Sequence, residues 1–322
     1  MLSNLINFAL IPLFFQDLLL IWFLLEINNF LFICYLSMKL YNKKIIFFYY
    51  IVQTMASLLL IFSLIYNNIF LLNMNFFSIY FYIAFMIKLG IPPFHIWLPI
   101  LSSYLDWNMI FILLTIQKIT PFYMISIIKI NNIIFYYLIL SSSFMSMFKM
   151  INLLNMKMIL IFSSINQTSW MLFLILMKSS LWLIYMIIYS LILFTLTYTL
   201  SLYKFSYNYF FNIYSSFNFN LIYLMMIMNL ASIPPLTFFL FKWISIFIFI
   251  LNSNLHFIFI LMIFNSFILI YIYINFMTSI LFFYSIKNKF IIKPMIFMNF
   301  FKINYSLYIL ISLMLALLFI II

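Results

Sequence analysis

Long apolar runs alternate with short polar or lysine-bearing breaks along the whole chain. Cutting at those breaks predicts eleven apolar helices, at 3–17, 18–38, 45–66, 76–100, 108–128, 132–148, 157–177, 180–203, 221–250, 255–284 and 305–322. About 20 residues of helix cross a hydrocarbon core, and a helix satisfies its own backbone where no water is available. The expected fold class is therefore an all-α polytopic membrane protein with about eleven transmembrane helices, one transmembrane domain over residues 1–322. The cut near Asp17 rests on length, because residues 5–38 as one helix would run about 51 Å across a core about 30 Å thick.

Two of the runs carry adjacent prolines: Pro92–Pro93 in MIKLGIPPFHIWLP (86–99) and Pro234–Pro235 in NLASIPPLTFFLFKW (229–243). Proline removes a helix N–H and clashes with the preceding turn. The freed carbonyls are tolerable at membrane depth only when buried in protein or facing a wet cavity. Gly90, the one glycine of the chain, stands beside the first pair. The interrupted runs are the fourth and the ninth, an odd offset, so they traverse the membrane in opposite directions. Paired broken helices in oppositely oriented halves mark a transport path at the repeat interface. This predicts an antiporter-like architecture with inverted five-helix repeats, 1–128 (spans one to five) and 132–284 (spans six to ten), and a C-terminal extra helix at 305–322.

Composition strengthens the membrane reading: 69% of the 322 residues are hydrophobic and 6% are charged, with a mean hydropathy of +1.29. No length remains for an extramembrane catalytic or nucleotide-binding domain. All fifteen cations are lysines. They are scattered between apolar runs rather than clustered on a solvated face, which argues against nucleic acid as a partner. With eleven spans, Lys39, Lys43, Lys44, Lys149, Lys157, Lys204, Lys287, Lys289, Lys293 and Lys302 fall on the face that holds the N-terminus. Only Lys129 and Lys178 fall opposite. Positive charge stays on the matrix or cytoplasmic side, so the N-terminus is expected there and the C-terminus across the membrane. Merging the first two spans would reverse the N-terminal assignment but not the asymmetry. Cys34 is alone, so no intramolecular disulfide is available. The excess of Phe, Ile, Asn, Lys, Tyr and Met over Gly and Arg matches A+T-rich codons, as in an organelle genome. The N-terminus lacks an Arg- and Ser-rich transit pattern, which suits synthesis inside that organelle.

Lys88, Lys118 and Lys242 fall near the middle of their spans, and Glu26 lies inside span two, in LLIWFLLEINNF; Asp17 and Asp106 belong to turns. A charge at the centre of a spanning helix costs about 2.5–3.5 kcal/mol. Four of them argue for use or for pairing. Snorkelling would need a lysine stem of about 6 Å to cover the roughly 15 Å of helix between the centre and either end. Lysine suits proton handling, since burial favours its neutral form and a nearby carboxylate its charged form. One acid and several lysines joined by water would form a switched relay; a static Glu26–Lys pair is the structural alternative. Supporting polar positions are Gln117, Ser163, Ser164, Asn166, Gln167 and Asn265, with His95 read as either a helix-end hydrogen bond or a proton carrier. Gln167 is read as either a helix–helix contact or a relay member. The Asn166–Gln167–Thr168 glycosylation pattern lies inside a span and is discarded. No nucleotide-binding glycine loop, cysteine cluster or paired histidine with metal spacing is present.

Five segments carry a family resemblance. MIKLGIPPFHIWLP (86–99), LLEINNF (24–30), TIQKITP (115–121), SSINQTSW (163–170) and IPPLTFFLFKW (233–243) resemble, in order and approximate spacing, the signatures of chain 2 of NADH:ubiquinone oxidoreductase. That chain is the mitochondrially encoded antiporter-like subunit of respiratory complex I, and the composition further resembles insect versions. The resemblance implies an eleven-helix antiporter-like fold in the proton-pumping arm of the mitochondrial inner membrane. It implies proton translocation driven by quinone reduction elsewhere in the complex, other membrane-arm subunits and inner-membrane lipids as partners, and no redox centre in this chain. FMN, iron–sulfur clusters and ubiquinone belong to the complex by the same implication. By motif match, Glu26 takes the acidic position, Lys88 its partner lysine, Lys118 the central lysine and Lys242 the lysine of the second broken helix. The sequence departs from the family pattern at Gln167, usually His, and at Ile100, commonly Glu. It departs again at Phe239 and Phe241, usually Gly and Pro, and at Ala231–Ser232, usually Gly-Gly. Two other functions compete: a free-standing or Mrp-type cation/proton antiporter, and a structural brace of the membrane arm without its own proton path.

Overall fold

The computed structural model describes residues 1–70, 75–128, 132–151, 153, 155–177, 179–202, 217–234, 236–252 and 256–290. Among these, helices and turns account for the secondary structure, with no strand. The helices are α1 (Leu2–Leu10), a 3-10 turn (Ile11–Phe14), α2 (Leu18–Lys39), α3 (Lys43–Phe70), α4 (Asn75–Leu89), α5 (Trp97–Tyr104) and α6 (Trp107–Leu114). They continue with α7 (Ile116–Ile127), α8 (Asn132–Met150), α9 (Met156–Leu176), α10 (Leu181–Leu202), α11 (Phe217–Leu230), α12 (Thr237–Asn252) and α13 (His256–Phe290). Among the described residues, seven stretches are long and apolar enough to cross a membrane, one of them α6 and α7 taken together as Trp107–Ile127; Leu2–Phe14, Ile79–Leu89 and Thr237–Ile248 are shorter apolar helices. The eleventh expected span, 305–322, lies outside the described residues, as do Lys129, Lys178, Lys204, Lys293, Lys302 and Pro235.

The chain forms two compact units, Met1–Met150 with Met156–Ser190, and Ile151–Asn155 with Leu191–Ile322. In the first unit α9 is the central helix: all of its membrane-spanning window is buried in protein, and α5, α7 and α8 pack on it. A helix that is apolar all round belongs inside a bundle, and α9 also carries Ser163, Ser164, Asn166 and Gln167 where no lipid reaches them. Around it, α2 packs on α1, α3 and α7, and α4 on α3 and α7. Outward positions such as Phe47, Leu58, Phe62 and Tyr137 stay exposed, as expected for a surface whose solvent is lipid.

Asp17 and Asp106 stand at the N-caps of α2 and α6 in extended backbone, the turn positions expected for them. An acid there complements the positive end of the helix dipole. Lys157, by contrast, is not a loop lysine. It lies in the first turn of α9, is 5% exposed, donates to the Leu105 carbonyl at 2.6 Å and sits 5.6 Å from the centre of the Trp107 ring. Its ammonium is held by a carbonyl and a ring face, partners that sequence spacing does not reveal.

The fourth run is split into α4 and α5. The Gly90 N–H bonds the Ile87 carbonyl at 3.3 Å and the Ile91 N–H bonds the Met86 carbonyl at 2.9 Å, the paired closure of a Schellman motif. Gly90 has φ +67, and a Cβ there would run into the Leu98 side chain, so two constraints demand glycine. The Trp97 indole N–H returns to the Ile87 carbonyl at 2.9 Å, satisfying an oxygen at the helix end. The fifth run is interrupted too, at Thr115 between α6 and α7. Thr115 hydrogen-bonds the Phe111 carbonyl through both its N–H, at 3.1 Å, and its hydroxyl, at 2.7 Å. Pro121 inside α7 lacks the N–H that would reach back to Gln117.

In the second unit α11 packs on α12 and α13, and the ninth run is divided into α11 and α12. α11 closes in the same hydrogen-bond pattern as α4, with the Ser232 N–H on the Asn229 carbonyl at 2.9 Å and the Ile233 N–H on the Met228 carbonyl at 3.3 Å. The Asn229 side-chain oxygen then accepts from the Thr237 hydroxyl at 3.0 Å and the Phe238 N–H at 3.3 Å, capping the start of α12 from the preceding helix.

Candidate functional site

α2 and α4 bring Glu26 and Lys88 together. The Lys88 ammonium donates to a Glu26 carboxylate oxygen at 2.9 Å, with the lysine side chain 2% and the glutamate side chain 27% exposed. Asn29, one turn along α2, reaches the same oxygen at 3.5 Å. Lys88 lies in the last turn of α4, where the carbonyl end of the helix favours a cation. The Schellman turn ends α4 just beyond it.

α7 supplies Lys118, 3% exposed, whose ammonium donates to the Ser164 hydroxyl of α9 at 3.2 Å. Ser164 passes its own hydrogen to the Ile161 carbonyl at 2.7 Å. The break at Thr115 places Lys118 in the first turn of α7. Gln117 beside it donates to the Asn28 side-chain oxygen of α2 at 3.4 Å. Lys88 and Lys118 line one cavity with Gln117, Asn29, Gln53 and Tyr49; its free volume of about 10 Å³ is on the scale of one water. A water needs two to four polar partners, and this wall supplies them.

Other expected residues fall elsewhere. The Ser163 hydroxyl is used within α9, on the Leu160 carbonyl at 2.8 Å. The Gln167 side-chain oxygen accepts from the Tyr185 hydroxyl of α10, a helix–helix contact. Asn166 and Asn265 are 1% exposed, and their amide atoms meet no hydrogen-bonding partner among the described residues. His95 lies in the turn after Pro92–Pro93, 8% exposed, with its ring 6.4 Å from Phe162. The Pro92 carbonyl receives the Ser141 hydroxyl of α8 at 3.5 Å. In the second unit Lys242, 8% exposed, donates to the Ser232 hydroxyl at 2.6 Å, two residues before Pro234.

Several participants were not singled out from the sequence: Asn28, Asn29, Tyr49, Gln53, Tyr185 and Asn229. The adjacent amides of LLEINNF and the lone Gln53 of an apolar run were available signals, since buried amides need partners. Tyr49 and Tyr185 had none, being two tyrosines among 24.

No family model matches the sequence. The chain is 31% identical over 246 residues to NADH-ubiquinone oxidoreductase chain 2 of Anopheles gambiae, covering 70% of this chain and 69% of that one. It is 32% identical over 302 residues to the chain 2 protein of Rhipicephalus sanguineus, covering 84% and 88% respectively. Its fold resembles a chain of respiratory complex I from Thermus thermophilus, with a TM-score of 0.74 at 14% identity over 98% of this chain and 77% of that one. It also resembles a chain of the Mrp complex of a Dietzia species, with a TM-score of 0.64 at 14% identity over 74% and 50%. The two structural likenesses establish an antiporter-like helical membrane fold, and identity over this share of the sequence relatives establishes descent: the chain belongs to the NADH-ubiquinone oxidoreductase chain 2 family.

Proposed function

We propose that the chain is a membrane-arm subunit of respiratory complex I in the mitochondrial inner membrane. In this reading it moves protons through Glu26, Lys88, Lys118 and Lys242, driven by NADH-to-ubiquinone electron transfer in other subunits. The observation that carries it is the water-sized cavity lined by both Lys88 and Lys118, with Glu26 2.9 Å from Lys88. While Glu26 is near, its charge holds the proton on Lys88. When Glu26 withdraws, the ammonium is left charged in a medium of low dielectric, where losing the partner of a buried pair costs about 3–5 kcal/mol. The proton then passes through water to Lys118, whose Ser164 contact orients the receiving nitrogen. Lys242 serves the same role in the second broken helix, and residues 1–128 and 132–284 act as the two halves of an inverted repeat.

The chain's one cysteine and two histidines do not fit the ligand set of an iron–sulfur cluster, so electron transfer is assigned to other subunits together with FMN and ubiquinone. Partners are those subunits and the inner-membrane lipids, with the N-terminus in the matrix. The rival is a free-standing or Mrp-type cation/proton antiporter, favoured by the likeness to the Mrp chain; a structural brace is the other. A native gel of solubilised mitochondria, stained for NADH dehydrogenase activity and probed for this chain, separates the first rival. Comigration with the active complex supports the complex I reading. A small free species sinks it, and cation/proton exchange in liposomes then becomes the assay.

A further inference from the structure

The two broken helices close in the same Schellman pattern at matching sequences, Gly90-Ile91-Pro92 and Ser232-Ile233-Pro234. Gly90 has φ +67 and Ser232 has φ 58. Glycine is at ease in this left-handed conformation, whereas an L side chain crowds the following carbonyl. Serine at such a position weakens the local backbone, so its side chain must offer something glycine lacks. Its hydroxyl lies 2.6 Å from the Lys242 ammonium and is also 2.5 Å from the Ala231 carbonyl. The hydroxyl hydrogen is thus committed to Ala231, and the oxygen lone pairs are directed at the lysine. Ser232 is 2% exposed. The charge pattern explains the difference between the two breaks. Lys88 has the Glu26 carboxylate, whereas the chain's three acidic side chains all precede residue 107, and the described side-chain contact of Lys242 is with the Ser232 hydroxyl.

We propose that Ser232 is a positioning residue for Lys242: its hydroxyl supplies, as a neutral acceptor, what Glu26 supplies to Lys88, and holds the ammonium at the break in the helix. This rests on the reading of Lys242 as a proton carrier.

The test uses the assembled complex in sealed membrane vesicles carrying Ser232→Gly, Ser232→Ala or Lys242→Gln, scored for assembly, NADH oxidation and protons moved per NADH. Expected is that all three assemble and oxidise NADH, while both serine variants lose protons per NADH to the same extent as each other and in step with Lys242→Gln. A backbone role alone gives a different pattern, with Ser232→Gly at or above the parent and Ser232→Ala below it; that result overturns the proposal. Failure of Ser232→Gly to assemble overturns it as well, because the hydroxyl would then be a requirement of folding. Full pumping in both serine variants while Lys242→Gln pumps less removes Ser232 but keeps Lys242. Full pumping in Lys242→Gln removes the reading of Lys242 itself.

Discussion

Glu26 and Lys88 illustrate how much chemistry single residues carry when lipid is the solvent. Either charge alone is expensive in a spanning helix; at 2.9 Å each lowers the cost of the other. Glu26→Gln removes the negative charge and leaves Lys88 without a counter-ion. With the Glu26 side chain 27% exposed, the expected destabilisation sits at or below the low end of about 3–5 kcal/mol for a broken buried pair. It is read as a lower melting temperature of the assembled complex together with fewer protons per NADH. Lys118 makes the sharper test, because its hydrogen-bond partner is the neutral Ser164. Lys118→Met keeps volume and discards the proposed proton site, so NADH oxidation is expected to persist while proton uptake per electron falls. Unchanged stoichiometry in that variant would favour the brace.

At the scale of the element, the broken helices decide where those charges can sit. The proline pairs made both interruptions legible, since a backbone freed at membrane depth needs partners. What supplies the partners was not legible: the Trp97 indole on the Ile87 carbonyl, the Ser141 hydroxyl on Pro92 and the Asn229 side chain over the start of α12. Each is a tertiary or cross-break contact between side chains that resemble dozens of others in the sequence. The interruption at Thr115 also escaped the sequence reading, because threonine breaks no helix by itself and Pro121 lies past Lys118. Gly90→Ala should cost at least about 1–2 kcal/mol for the left-handed conformation, with the Leu98 collision in addition. Thermal melts of the complex, or loss of its band on a native gel, would register it. Asn229→Ala removes the α12 cap and should cost about 1 kcal/mol, lowering the melting temperature without changing the charge inventory.

For the whole molecule, the lysine distribution makes a testable statement about orientation. Tyr41, between α2 and α3, and Lys149, in the last turn of α8, are exposed, and the orientation expected from the lysine-rich face of the sequence would put both in the matrix. In a Cys34→Ser background, Tyr41→Cys and Lys149→Cys should react with an impermeant maleimide in inverted vesicles and stay protected in mitoplasts. Labelling of both in mitoplasts would invert the topology. Lys157 contributes less to that asymmetry than its place in the sequence implied, because it is buried against Leu105 and Trp107.

What the amino-acid sequence determined by itself is whatever depends on transfer between water and lipid. The membrane class, most helix positions, the proline-marked breaks and the candidate charges all follow from the price of exposing polar groups to hydrocarbon, which each residue sets locally. Which apolar helix goes to the centre was decided only in three dimensions. α9 reads like its neighbours in hydropathy, yet it alone has its whole spanning window enclosed by protein among the described spans. Lipid is as apolar as a leucine surface, so hydrophobicity cannot sort an inner helix from an outer one. Packing and hydrogen-bond satisfaction do the sorting, and they depend on residues such as Glu26 and Lys88, 62 positions apart, meeting across two helices.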